Sequence, residues 1–405
     1  MSFIVFPHKN KPQFFFSDSV HVVSYFVYNF IFSRKKRIQG LINISKSVLP
    51  DTAWYLLFKL FLHKEERLPD DLTAAIEYSK EFIRNNKTLF LPETVNDYEI
   101  TFLIRKTTWQ RRSDKFIILL FVNDGKEPFA VAKASSATHK NSIEFEFKKT
   151  KMVYDNLSKD NLFTIPEPLA FHNFNESVIY FERTVNGLPI NNYLKLISEK
   201  KIKLDLYLGI LKRCENILLR LNSQKKLLDR VDFKDYLYEP IEVFRRTESG
   251  KRYALKLDDL MSYADNILKD KLNAVRMHGD LWGGSILLRG DKISIIDWEF
   301  FTDRGLPLWD FFSIAFHPGE AFNKDSSDFL NYYTELRISK EVDNSLLNLA
   351  DNYQLDKSCI PFLFQTYLLY NIQKRDTDTE HYWQECLEYY WNISDMERNK
   401  KKRLL

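Results

Sequence analysis

Asp280 and Asp297 are the residues whose setting in this sequence best suits chemistry. Asp280 lies in a glycine-punctuated loop, His278-Gly279-Asp280-Leu281-Trp282-Gly283-Gly284-Ser285, and Asp297 ends an apolar run containing Ile293, Ile295 and Ile296. Between them, residues 285–288 and 293–296 read as two short strands joined by the turn Arg289-Gly290-Asp291-Lys292. Paired symmetrically about that turn, position 285 faces position 296, so Ser285 and Asp297 become neighbours. One hairpin thereby gathers a loop aspartate, a hydroxyl and a second aspartate at one end of a small sheet. Such oxygens can hold a hard divalent cation against phosphates, while the other carboxylate orients an attacking hydroxyl; this is what phosphoryl transfer needs.

Stepping away from the hairpin, the elements that must position it carry further charged residues. Pro128-Phe129-Ala130-Val131-Ala132-Lys133-Ala134 is an apolar strand with a lysine near its end, and a helix beginning near Ser142 carries Glu144 and Glu146. Either glutamate can partner the lysine by spacing alone; Glu146 is preferred because it lies deeper in the helix. Five of the 11 glycines (Gly279, Gly283, Gly284, Gly290, Gly305) crowd into the region of the two aspartates, where the backbone must turn or approach a neighbour closely.

The order of these features resembles the aminoglycoside phosphotransferase and choline kinase-like family, protein-kinase-like kinases of small molecules. The resemblance rests on Val131-Ala132-Lys133, on His278-Gly279-Asp280 with position 285 five residues on, on Asp297-Trp298-Glu299, and on Leu308-Trp309-Asp310. It spans about 96–391 in layout and is specific only at Lys133, at 278–299 and at 305–310. It implies ATP or GTP and Mg²⁺ as cofactors and a small-molecule hydroxyl as acceptor: a sugar, an aminoglycoside-like molecule or an amino alcohol. Asp280 is then the catalytic residue, Lys133 grips the nucleotide phosphates, Glu146 fixes that lysine, and Asp297 with Ser285 holds the metal. Backbone groups near Phe181 and Arg183 would meet the purine at the interlobe hinge. His278 orients the loop, and Asp310 braces it from beneath.

Two departures accompany the match. Where the family has Pro-Gly-Asn this chain has Gly283-Gly284-Ser285, and a serine hydroxyl is a neutral, shorter-reaching ligand than an amide oxygen. The first hairpin, through residues 105–115, lacks the glycines that usually cover the phosphates, leaving Arg111, Arg112, Ser113 and Lys115 for that duty. The alternative to an active enzyme is therefore a nucleotide-binding pseudokinase or scaffold. A protein kinase ranks third, because no Ala-Pro-Glu and no long activation segment separate Asp297 from Asp310.

Composition fits this reading and excludes others. Hydrophobic residues make up 44% of the 405 and charged residues 28%, ordinary for a globular chain, and a net charge of +4 without a basic-aromatic motif argues against nucleic acid. Cys214, Cys359 and Cys386 are widely spaced and form no C-x-x-C, which suits reduced, buried thiols and a cytoplasmic location. The apolar windows at 21–32 and 54–62 are shorter than the roughly 20 residues of a membrane span.

The fold class expected is α+β and bilobal, protein-kinase-like, with a small antiparallel-sheet N-lobe at 96–187 and a mainly helical C-lobe at 188–395. Residues 1–95 are read as a mostly helical N-terminal extension, a packing element or a docking surface for a protein partner. Residues 396–405 form a basic tail.

Overall fold

In the computed structural model the described residues are 3–6, 13–31, 52–53, 55–56, 62–65, 68–95, 97–106, 115–135, 140–159, 161–174, 177–223, 233–268, 272–316, 336–374 and 383–392. The fold is α+β and falls into two units, Met1–Leu196 with Ser285–Glu299, and Ile197–Gly284 with Phe300–Leu405.

The first unit is organised by runs of β-branched and aromatic residues, which favour extended backbone. Its strands are β1 (Phe3–Phe6), β2 (Phe14–Ser17), β3 (His63–Glu65), β4 (Ile100–Lys106), β5 (Phe116–Val122), β6 (Ala130–Ser135), β7 (Pro168–Phe174) and β8 (Ser177–Arg183). They form one antiparallel sheet in the order β3-β1-β2-β4-β5-β6-β8-β7. Every residue from Ile100 to Ile104 is buried, as happens when both faces of a strand are covered. Helix α1 (Val20–Phe26) lays Val22, Val23 and Phe26 on Phe14, Phe16, Leu103 and Phe121 of one face. Helix α2 (Asp70–Asn85) lays Leu72, Ala75, Ile76 and Ile83 on Phe102, Ile104, Ile118 and Leu120 of the other. Asp70 and Asp71 occupy the first turn of α2, where negative charge favours the helix dipole. The short α3 (Lys87–Phe90) follows.

The sequence reading sets residues 1–95 apart and starts the sheet at 96, but the sheet crosses that line. β2 pairs with β4 (Phe14↔Arg105, Phe15↔Ile104, Phe16↔Leu103), and the Phe102 amide donates to Ser17 Oγ at 3.0 Å. The cause is non-local: β2 meets its partner more than eighty residues later, a pairing that periodicity within either segment does not encode. The apolar faces of α1 and α2 are used on this sheet.

Helix α4 (Lys140–Leu157) follows β6. Its buried residues, Ile143, Glu146, Thr150, Val153 and Leu157, recur at alternating three- and four-residue steps, the stripe of a helix packed along one side. After β8 the chain makes β9 (Leu188–Pro189) and α5 (Ile190–Leu196). The unit is completed by the hairpin β11 (Ile286–Arg289) and β12 (Lys292–Ile295), which joins β9 in a three-stranded sheet.

The second unit is mainly helical. It comprises α6 (Lys200–Asn222), α7 (Glu239–Arg245), α8 (Glu248–Arg252), α9 (Ala254–Tyr263), α10 (Trp309–Phe316), α11 (Leu336–Asn352) and α12 (Ile360–Lys374), with the strand pair β10 (Val275–Met277) and β13 (Thr302–Gly305). Helix α6 buries Ile210, Leu211, Cys214, Ile217, Leu218 and Leu221, the stripe expected from its spacing. Glu215 on the same helix is buried too, and accepts hydrogen bonds from Ser345 Oγ at 2.6 Å and Lys212 Nζ at 2.7 Å. All three cysteines are buried and free. No helix among the described residues is long and apolar enough to cross a membrane.

Candidate active site

Strand register explains where the charges of the first unit meet. Lys133 on β6 stands opposite Ile117 on β5 and Tyr180 on β8. Side chains alternate faces along a strand, so Lys115, two residues before Ile117, and Glu182, two residues after Tyr180, share the face of Lys133. Glu146, on the buried stripe of α4, meets that face from above. Lys133 Nζ pairs with Glu146 Oε1 and, at 3.1 Å, with Glu182 Oε1, and lies 5.6 Å from the centre of the Tyr180 ring. Lys115 Nζ lies 2.6 Å from Glu146 Oε2 and 3.1 Å from Glu299 Oε2. Each oxygen of Glu146 therefore receives one lysine. Glu144, the other candidate partner, faces outward and pairs with Lys148 one turn along at 2.7 Å.

The electrostatics of this group follow from burial competing with pairing. Burial disfavours the ammonium of Lys133, but Glu146, then Glu182 and Asp297, outweigh it and hold its pKa well above the ordinary lysine range. Lys115 is held up in the same way against burial by Glu146, Asp297 and Glu299. Burial would raise Glu146, yet the two lysines take it down to about 2. Glu299 goes the other way: burial, then the charge of Asp297, push it up to about 7 against the pull of Lys115.

The hairpin delivers Asp297 to this group. Its register is Ile286↔Ile295, Leu287↔Ser294, Leu288↔Ile293 and Arg289↔Lys292. That is the pairing the turn predicts, and the Ile296 amide donates to the Ser285 carbonyl at 3.0 Å. Asp297 comes next, with φ 71, in the left-handed region that aspartate enters more readily than most residues. Ser285 is buried at the same end of the hairpin. Ligand atoms of Glu146, Asp297 and Glu299 all lie within 4.8 Å of one another.

In the second unit, the loop carrying Asp280 is held by Asp310. The amide of His278 donates to Asp310 Oδ2 at 2.6 Å and that of Gly279 to Oδ1 at 3.0 Å. His278 is fully buried, and its Nδ1 accepts the Asp280 amide at 3.3 Å. Gly279 has φ 84, and a Cβ there would come within 2.6 Å of the Phe300 carbonyl oxygen, so only glycine fits. Asp280 borders a small concavity lined by Trp309, Tyr367 and Tyr370. Tyr236 stands edge-on to Trp309 at 5.2 Å between ring centres, and Trp309 lies 4.8 Å from Tyr370. Burial, then Tyr236 and Asp280, push the Tyr370 hydroxyl up to about 12.

The structure thus brings Lys133, Glu146 and Asp297 together in one unit and places Asp280 on a braced loop in the other. The hinge residues fare differently. Phe181 stands between β6 and β7, opposite Ala132 and Ala170, inside the sheet ladder. Its ring is buried on the face away from Lys133, stacked with Phe82 at 5.1 Å. Arg183 donates its amide to Glu167 O, pairs with Glu167 Oε2 at 2.7 Å and reaches the Phe90 and Leu89 carbonyls. The cover-loop residues Arg111, Arg112 and Ser113 and the basic tail lie outside the described residues. Lys115, read with them as phosphate cover, instead joins the buried group, and two further members, Glu182 and Glu299, carry no site role in the sequence reading. Strand alternation out from Lys133 locates Lys115 and Glu182.

Residues 120–338 match a known family, described as the phosphotransferase enzyme family, APH. The chain belongs to that family. The matched stretch is more than half of the 405 residues and holds Lys133, Glu146, Asp280, Ser285, Asp297 and Asp310; Lys115 precedes it. Among curated proteins, none matches the sequence. Among solved structures, the chain is similar to the GDP and kanamycin complex of APH(2")-IIia, at 15% identity over 78% of this chain and 99% of that one, with a TM-score of 0.47. It is similar to choline kinase from Cryptosporidium parvum at 14% identity, over 80% and 97%, with a TM-score of 0.44. A third is aminoglycoside phosphotransferase APH(4)-Ia with AMP-PNP and hygromycin B, at 13% identity, over 77% and 97%, with a TM-score of 0.45. The family match, rather than these likenesses, carries the assignment of a small-molecule phosphotransferase family.

A divalent cation suits the donors present. The buried group sets four carboxyl groups (Glu146, Glu182, Asp297, Glu299) against two ammonium groups (Lys115, Lys133), and oxygen ligands of this kind are those Mg²⁺ prefers.

Proposed function

We propose that the chain transfers the terminal phosphoryl group of ATP to a hydroxyl of a small molecule, using Mg²⁺. The observation that carries this reading is the buried pair of Lys133 and Glu146 beside Asp297, a cation fixed where nucleotide phosphates need one. In this reading Lys133 grips the α- and β-phosphates and Glu146 keeps its ammonium in place. Asp297, with Ser285 beside it, holds the metal, which when bound neutralises charge developing on the phosphate oxygens. Asp280 orients the acceptor hydroxyl and takes its proton. Its loop is fixed through the two amides that Asp310 accepts, so little reorganisation accompanies the transfer.

The walls of the concavity at Asp280 support an acceptor of mixed character. Trp309, Tyr367 and Tyr370 line it beside Asp280, Asp310 and Asn371, aromatic surface and polar oxygens that suit the apolar side of a sugar or an amine cation. A sugar, an aminoglycoside-like molecule or an amino alcohol meets that description, and GTP remains an alternative donor. A cytoplasmic enzyme with no nucleic-acid partner fits the composition.

The test is acceptor-dependent ATP consumption by purified protein with Mg²⁺, screened over amino alcohols, monosaccharides and aminoglycosides. Parent protein is expected to turn over with at least one of these, and Asp280→Asn to lose at least 100-fold in rate, as expected when a general base is removed. Asp280→Asn turning over at the parent rate would overturn the mechanism. The second reading, a nucleotide-binding scaffold, is favoured by one observation: Ser285 stands where the family has an amide ligand. It predicts thermal stabilisation by nucleotide with no turnover for any acceptor.

A further inference from the structure

The sequence reading gives Lys115 only a share in covering the phosphates, yet it is among the most constrained cations of the described residues. Only 9% of it is exposed, and its ammonium sits 2.6 Å from Glu146 and 3.1 Å from Glu299. Those two carboxylates and Asp297 bring ligand atoms within 4.8 Å of one another, the spacing of groups that share one cation. Lys115 also precedes the matched family stretch, which begins at residue 120, so the family pattern does not call for it.

Protein kinases hold two Mg²⁺, one through the hairpin aspartate and one through the catalytic-loop asparagine. Two features here weaken the case for a second ion. Ser285 stands at the asparagine position, and an ammonium already lies among the carboxylates. A second divalent ion would face Lys115 across a few ångströms in a poorly solvated group, where like charges repel strongly.

We propose that Lys115 is a resident cation of the nucleotide site, its ammonium taking the place of one of the two divalent ions, so that the chain binds nucleotide with a single metal. The proposal rests on the nucleotide-site reading above and adds a positioning residue to it. Glu146 becomes the hub, one oxygen to the phosphate-gripping lysine and the other to the resident cation. Lys115 also supplies positive charge where the first hairpin lacks its glycines.

The experiment counts Mn²⁺ bound to the full chain by electron paramagnetic resonance, with and without AMP-PNP. With AMP-PNP, parent and Lys115→Arg are expected to hold one Mn²⁺ per chain and Lys115→Met two. Without nucleotide, Lys115→Met is expected to bind Mn²⁺ at least 10-fold more tightly than the parent. Two ions on the parent, or no gain of affinity in Lys115→Met, overturns the proposal. If Lys115→Met does not fold, Lys115→Gln is read in its place by the same criteria. Failure of the parent to bind AMP-PNP would sink the nucleotide reading alone, because the nucleotide-free arm still decides whether Lys115 excludes a metal.

Discussion

Replacing Glu146 by glutamine keeps the side chain's size and removes its charge from between two buried ammonium groups. Glu146 is held at about 2 instead of the ordinary 4.5, which corresponds to about 3–4 kcal/mol of stabilisation at about 1.4 kcal/mol per pH unit. Removing one partner of a buried ion pair costs about 3–5 kcal/mol. Here Lys133 retains Glu182 and Lys115 retains Glu299, which places Glu146→Gln at the lower end, about 3 kcal/mol. For a unit of this size that is a fall in Tm of about 6–12 °C. The control is Glu144→Gln, whose one-turn surface pair with Lys148 is worth about 0.3–0.5 kcal/mol. The pH dependence has a definite sign. A depressed carboxyl contributes stability in full above its unfolded pKa and loses it as pH falls through the folded one. The gap between parent and Glu146→Gln is therefore expected to be full at pH 7 and to close between 4.5 and about 2. Urea unfolding followed by circular dichroism at pH 7, 4 and 2.5 measures it. Equal losses from Glu144→Gln and Glu146→Gln, or a gap at pH 2.5 as wide as at pH 7, would refute the assignment of Glu146 as the shared partner.

Other substitutions address the remaining supports. Asp310→Asn puts an amide NH₂ against one of the two loop amides at 278 and 279; a stability loss of about 1–3 kcal/mol is expected, with faster hydrogen exchange at those amides. Gly279→Ala forces a Cβ toward the Phe300 carbonyl oxygen, and protein that folds should be less stable than Asp310→Asn by urea unfolding. Phe26→Ala tests whether residues 1–95 belong to the sheet. Phe26 is fully buried against Phe14 and Phe16, so a loss of about 3–5 kcal/mol is expected; a change within 0.5 kcal/mol would instead mark a separable extension.

The hairpin of β11 and β12 was legible because its information is local. The turn at 289–292 fixes the register, and the register places Asp297 beside Ser285. The choice of Glu146 over Glu144 was legible too, through a signal stronger than depth in the helix: position 146 falls on the stripe of Ile143, Thr150, Val153 and Leu157, and position 144 does not. Lys115 read as a phosphate-covering hairpin charge because burial depends on how β5, β6 and β8 align, and that alignment sets Lys115, Lys133 and Glu182 on one face only once the strands are paired. The setting of Phe181 was only half legible for a related reason. Ala170, on one side, comes from the strand just before it, but Ala132, on the other, comes from a distant segment. The Phe14-Phe15-Phe16 run announced a strand but not its partner.

Asp297 is where the fold accepts a local backbone cost. Its φ of 71 is a conformation that costs a non-glycine residue about 1–2 kcal/mol, less for aspartate than for most. The turn is closed beside it by the Trp298 indole, buried and donating to the Ile295 carbonyl at 3.1 Å, so the backbone is held there whatever side chain it carries. Asp297→Gly should relieve that conformation and remove a carboxylate from a group already two negative charges in excess, while glycine's freedom in the unfolded chain offsets about 0.5–1 kcal/mol. The expected outcome is a protein as stable as the parent within about 1 kcal/mol, with no acceptor-dependent turnover. A loss of more than about 2 kcal/mol would mean that Asp297 serves the fold through its charge near Lys115 and Lys133, beyond what a turn residue contributes. Retained stability with lost turnover is the signature of a residue kept in a strained place for what its carboxylate does there.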